Sequence, residues 1–398
     1  MQRTARLAFN HHSAAQGSEL SEGLTFLIRT DAQYATNGFR RELVGTITNN
    51  ALSPIFKPQA QADGPCIESQ VKKSVHAAYQ EWGERVLESI SQHVNYDLYD
   101  IDQSVRCLNV QYHNARVLGQ KIVDNADSYL SARPRYDPDI PTIYVSLDEM
   151  FHECRAPWGE IAFSRLFSLR GDQQFGYTAR PGKQPIDEQV ATFAQSIKEL
   201  RCNYGQKMPL VLLEDNVRHA KMLNWVIELM DRHSVFDDTE LACISTCFCS
   251  ASQEERAAII YKDQSIPLVA AIELNSKNFE VSTPRDLFFD GYVVEVNGEK
   301  TRLPGLFMDV EKLFKVSSDK AEAFTEEVRQ ASLNFCNRIE QEWGVSVPVG
   351  WFTGAKAIAF VTGKPVDTPM TDVLETWKPS AAPLLQAVND TKKISLVQ

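Results

Sequence analysis

Residues Met208–Met230 read MPLVLLEDNVRHAKMLNWVIELM. The apolar run before Glu214 is short and does not alternate, which predicts a strand buried on both faces. Two acids, Glu214 and Asp215, close the run, and Asn216 follows. Arg218, His219 and Lys221 then supply a cationic cluster, and a helix pattern continues from Ala220 to His233. Strand, acid pair and helix in direct succession predict one unit of a parallel sheet with its crossover helix. The acids then stand at the carboxyl end of the strand, where open parallel sheets collect their ligands.

The same texture extends to either side. TIYVSL (142–147), LACISTCFC (241–249), AAIIY (257–261), PLVAAIEL (267–274) and GYVVEV (291–296) read as strands, and 186–200 as a helix with Ile186, Val190, Phe193, Ile197 and Leu200 on one face. A long helix is expected at about 319–343, followed by a tail of short strand-like pieces and Pro-rich turns. Upstream, Val75, Tyr79, Trp82, Val86 and Ile90 mark a helix, a second is expected over 104–130, and RPRYDPDIP (133–141) is a connector. Residues 1–65 give no clear pattern. The expectation is an α/β fold, Rossmann-like, with a mostly parallel sheet and flanking helices over 141–398. A mixed, helical N-terminal region, 1–140, precedes it and is open to a protein partner.

The chain has 398 residues, 43% hydrophobic and 23% charged, ordinary for a globular protein. Its 52 acids against 41 bases give a net charge of −11, which argues against a nucleic-acid partner or an anionic membrane surface. No apolar run approaches the roughly 18–20 residues that cross a bilayer. The first residues, MQRTARLAFNHHSAAQGS, lack the apolar segment of a secretory leader. Eight cysteines without a framework fit reduced thiols, so a cytoplasmic location is expected. Cys243, Cys247 and Cys249 lie at strand spacing that splays them, so they read as buried thiols rather than a metal site.

Vicinal hydroxyls accepted by the acids, and a phosphate held by the helix N-terminus beyond them, describe a ribose phosphate. VLLEDNVRHAKML resembles the ribose-phosphate-binding loop of type I phosphoribosyltransferases, in which apolar strand residues precede two acids and a short phosphate loop opens a helix. The resemblance implies a phosphoribosyltransferase-like fold and phosphoribosyl transfer to a nitrogen nucleophile. It implies that Glu214 and Asp215 hold the 2- and 3-hydroxyls of phosphoribosyl pyrophosphate or a nucleotide. Asn216, Val217, Arg218, His219, Ala220 and Lys221 would then hold the 5-phosphate. GYTARPGKQPIDEQV fits a flexible basic loop whose Arg180 and Lys183 would contact pyrophosphate. Mg2+ would be bound mainly by ligand oxygens. The sequence departs from the family pattern where hydroxyl residues and glycine are usual: Arg218, His219, Ala220, Lys221 and Met222 stand there. That departure puts catalysis in doubt and favours, as an alternative, a non-catalytic nucleotide-binding sensor or scaffold.

Other readings compete. LLEDN followed by an amphipathic helix also resembles a receiver domain, with Asp263 as phospho-acceptor and Lys315 facing the phosphate. Acids at strand ends also commonly cap the next helix. His152 and Cys154, with Asp148 and Glu149, are candidates for nucleophile, base or ligands. Arg165, Arg170, Arg180 and Lys183, interleaved with Phe175 and Tyr177, form a cation cluster unusual in an acidic chain. The aromatic and acidic residues at 285–292 could stack on a base or pack an edge. VTGKP (361–365) fails as a P-loop, since Ile358 and Pro365 occupy the required Gly and Ser/Thr places.

Overall fold

The computed structural model describes residues 24–29, 57–95, 108–113, 115–134, 136–148, 157–274, 279–282 and 284–377. In chain order the elements are β1 (Leu24–Arg29), α1 (Lys57–His93), β2 (Leu108–His113), α2 (Ala115–Ser131), β3 (Ile143–Ser146), β4 (Pro157–Glu160), β5 (Phe163–Phe167), β6 (Gln174–Ala179), α3 (Ile186–Arg201), β7 (Met208–Val217) and α4 (Ala220–Arg232). There follow α5 (Val235–Asp238), β8 (Thr239–Cys249), α6 (Gln253–Ala257), β9 (Ile260–Tyr261), β10 (Gln264–Ser265), β11 (Leu268–Glu273), β12 (Phe279–Ser282), α7 (Arg285–Phe288), β13 (Tyr292–Val296), β14 (Glu299–Leu303), α8 (Val310–Phe314), α9 (Ala321–Trp343), α10 (Ala355–Thr362) and α11 (Met370–Thr376).

The protein is α/β, with a central five-stranded sheet in the order β11-β8-β7-β3-β4 and every pairing parallel. The apolar run of β7 is continuous because both of its faces are covered. Leu210 and Leu212 enter a core with Val190 and Phe193 of α3 and Leu223, Val226 and Ile227 of α4. Val211 and Leu213 point the other way, onto Ile122, Val123 and Ala126 of α2. Burying each such aliphatic side chain contributes roughly 1.5–3 kcal/mol.

A second sheet, β14-β13-β5-β6, carries the hairpin β5–β6 at its end, and β1, β2 and β12 form a small parallel sheet. The largest core joins α1 to α9 and to residues 287–374; in it Trp82 is buried and its indole N–H donates to Ser332 Oγ at 3.1 Å. Thus α1, from the segment expected as an N-terminal region, shares a core with the C-terminal helices.

Several sequence expectations are corrected. The helix expected over 104–130 is a strand, β2, and then α2. AAIIY lies across the end of α6 and a two-residue hairpin strand, outside the five-stranded sheet. GYVVEV, as β13, pairs with β5 and β14 rather than joining the central sheet. The tail holds the helices α10 and α11, and VTGKP includes the end of α10. Of the basic stretch 176–190, residues 176–179 belong to β6, antiparallel to β5, and 180–185 form the connection to α3. The alternation of β6 is masked in the sequence because Gly176 and the bulge at Phe175 interrupt any simple apolar period.

Candidate functional site

Strand lengths alone place the acids. Glu160 of β4 pairs with Ser146 of β3, and Ser146 with Leu213 of β7. Glu214 is therefore the first residue of β7 beyond the ends of both neighbours on that side. On the other side β7 stays paired with β8, Glu214 opposite Thr246 and Val217 opposite Cys249. The step exposes a carboxyl ledge, to which Asp148, two residues past the end of β3, also belongs.

Glu214 is only 6% exposed. Burial pushes its carboxyl well above the usual range; the neighbouring charge and hydrogen bond of Asp215 act in the same direction, as does Asp148, against an opposing pull from Arg180. Glu214 therefore holds its proton more tightly than an ordinary carboxyl, with Asp215 hydrogen-bonded beside it. Asn216 leaves its Oδ1 buried without a hydrogen-bond partner. A donor brought by a ligand would satisfy it.

Arg180 lies at the end of β6, 7% exposed. Its Nε donates to Phe163 O and its Nη2 to Leu147 O, both at 3.0 Å. The guanidinium is 3.8 Å from Asp148 and 3.5 Å from Glu160. It is a buried tie between β3, β4 and β5, not the loop cation the sequence suggested. Lys183 follows in a turn, 44% exposed, with Nζ 2.9 Å from Glu160.

The turn beyond the acids is shorter than expected. Asn216 and Val217 remain in register with Phe248 and Cys249, so Arg218 and His219 make the whole turn before α4. The helix N-terminus already has an internal anion: Ala220 N donates to Glu255 Oε2 at 3.1 Å, and His219 Nδ1 is 3.4 Å from Glu255 Oε1. That backbone hydrogen bond holds the Glu255 carboxyl below its ordinary value. The capping alternative is thus met by Glu255 from α6, a residue the sequence reading passed over because it comes from 35 residues downstream.

An aromatic wall borders the ledge. Tyr177 of β6 stacks on Trp225 of α4 at 4.5 Å, and Phe163 of β5 meets both rings, at 5.7 and 5.2 Å. The Tyr177 hydroxyl is raised by burial, in the field of Arg165 and Glu214. No sequence period could show this, since three separate elements supply the rings. A groove of about 720 Å³ lies to the side, between β4 and α3, and reaches Glu160 and Lys183.

The remaining candidates are not brought to the ledge. Asp263 sits in the β9–β10 turn with φ +62°, and Lys315 caps α8 in the other core, so the receiver pocket is not built. Glu149, His152 and Cys154 lie outside the described residues, as do His11 and His12. Cys243, Cys247 and Cys249 are buried, and among the described residues no three His, Cys, Asp or Glu side chains are grouped to hold a metal. Asp290 is tied to Arg285 and Arg302 at 3.4 and 3.0 Å, which makes the 285–292 cluster an internal brace. Among the described residues no helix is long and apolar enough to cross a membrane.

No family model, no curated protein and no solved structure matches this chain.

Proposed function

We propose that the protein binds a ribose phosphate on the carboxyl ledge, in the manner of a phosphoribosyltransferase-like fold. The diol of a nucleotide or of phosphoribosyl pyrophosphate would meet Glu214 and Asp215. The supporting observation is the hydrogen-bonded Glu214–Asp215 pair on the step of β7. Two adjacent carboxyls offer several acceptors, and a donor where one is protonated, which suits two adjacent hydroxyls that each donate and accept. The unpartnered Asn216 Oδ1 beside them adds a further acceptor.

Binding without transfer is favoured by two placements. Arg180, which transfer would need against pyrophosphate, is already engaged by Asp148, Glu160 and two carbonyls. Glu255 already occupies the amide where a 5-phosphate would sit, so a phosphate must displace it. In this reading the sensor role comes first. Phosphoribosyl transfer is the second arm, resting on the Glu214–Asp215 pair, whose negative charge would stabilise an oxocarbenium-like anomeric carbon. Among the described residues no group forms a protein cage for Mg2+, so no step is assigned to it.

The test is calorimetry with ribose 5-phosphate, adenosine monophosphate and phosphoribosyl pyrophosphate. Asp215→Asn should weaken binding about tenfold, the loss of roughly one charge-assisted hydrogen bond. Unchanged affinity in Asp215→Asn, or no binding by the parent chain, would refute the reading. Turnover with a nitrogen nucleophile would promote the transferase arm.

A further inference from the structure

The hairpin β5–β6 has a feature that the diol reading leaves unused. Leu166 pairs with Gly176 but Phe167 with Gln174, so Phe175 is an unpaired bulge residue on the edge strand of its sheet. Gly176, at φ +113°, permits the turn of the backbone there. The bulge throws Phe175 into solvent, where 57% of it is exposed. A bulge by itself guards a sheet edge against pairing, and a charged side chain would improve that guard. An exposed phenyl ring works against it and leaves an aromatic face open to a contact outside the chain.

The surroundings say what kind. Two residues along β6, about 7 Å away, Tyr177 stacks on Trp225 and lies in the field of Glu214. Arg165 lies directly across from Tyr177 in the hairpin and is exposed, and Arg170 is exposed in the hairpin turn. Neither makes an ion pair with another described residue. A row of rings flanked by arginines suits unpaired bases on a phosphate backbone.

We propose that the β5–β6 hairpin and α4 form a stacking platform for single-stranded RNA whose 3′-terminal ribose is the diol held at Glu214 and Asp215. This rests on the ribose-phosphate reading and extends it to a polymer. In a polynucleotide the 3′-terminal ribose alone carries a free 2′,3′-diol together with a 5′-phosphate, the combination that the ledge and the turn after it would take. The next base inward would reach Phe175. The net charge of −11 opposes any polyanion at long range, so binding is local and sensitive to salt.

The test is fluorescence anisotropy of the full chain with a labelled ten-nucleotide single-stranded RNA, beside calorimetry with adenosine monophosphate. The RNA should bind more tightly than adenosine monophosphate and lose affinity when its 3′ end is made deoxy. Phe175→Ala should weaken RNA binding about tenfold, the loss of one base–aromatic stack, and leave adenosine monophosphate binding unchanged. Arg165→Gln should weaken RNA binding and flatten its salt dependence. RNA bound no better than adenosine monophosphate, or indifferent to Phe175→Ala, overturns the platform while the monophosphate result decides the ribose reading separately. Equal binding of an acidic peptide also overturns it, because that would mark a general anion surface.

Discussion

Glu214 carries the most consequence of any single side chain. Its carboxyl is buried on β7 beside Asp215, where the strand outruns β3, so folding moves its pKa upward. The folded chain then keeps a proton that the unfolded chain has released. Its contribution to stability is therefore fully present below the ordinary carboxylate pKa and is lost as pH rises through the raised value. Glu214→Gln keeps the shape and removes the titration. At neutral pH this variant should be more stable than the parent by about 1 kcal/mol or more, and the two should converge near pH 4. Thermal melts at both pH values check this; parallel curves across the range would contradict it. Thiols obey the same rule. Burial pushes Cys243 up to about 12, whereas Cys202 is exposed at the end of α3. Alkylation at pH 8 followed by peptide mass mapping should label Cys202 well ahead of Cys243.

Among elements, the turn into β13 is the most constrained. Gly291 has φ +98°, and a Cβ there would lie 2.1 Å from the carbonyl oxygen of Leu303 on β14. The β13–β14 pair starts at Tyr292 against Leu303, so that carbonyl cannot yield without losing the register. Gly291→Ala should cost about 3 kcal/mol or more, read as a lowered urea midpoint with an unchanged slope. The hairpin β5–β6 shows the opposite side of this logic. Gly176 also has positive φ, but a Cβ there would meet nothing within 4 Å, so its glycine serves backbone conformation rather than close packing. α4 illustrates a third case: it has no side-chain cap at His219, and Glu255 from α6 supplies the acceptor instead.

In the molecule as a whole, the seam between α1 and α9 joins distant parts of the sequence. Trp82 stands in the middle, within 4.7 Å of the Phe289 ring and bonded to Ser332. At the end of α1, His93 Nε2 is 3.1 Å from Glu327, and Asn95 N donates to Lys315 O at 2.8 Å. Trp82→Ala should lower the unfolding free energy by about 3–5 kcal/mol, measured by urea titration. A loss confined to a local probe of α1, with the sheet melting unchanged, would show that the two cores unfold independently. Carboxyl ledge and aromatic wall lie against one core and the seam in another, so this substitution is expected to leave ribose 5-phosphate affinity intact at temperatures where the variant is folded.

Much was legible before any coordinates. The doubly buried run at 210–213, the amphipathic helices at 186–200 and 220–232 and the long helix ending at Trp343 each declare themselves through local period, because burial on a face imposes that period on neighbouring residues. The acid pair was placed at a strand end by the same local pattern, but β7 runs on past it to Val217 against β8. What the chain could not disclose is which partners the ends would meet. That Arg180 would be drawn under β3 and β4, that Glu255 would cap α4, and that Phe163, Tyr177 and Trp225 would meet depends on strands stopping at different levels. It depends as well on residues tens of positions apart being packed together. Such pairings are fixed by the lowest free energy of the whole fold, whereas period and propensity report only on the nearest turn or pleat.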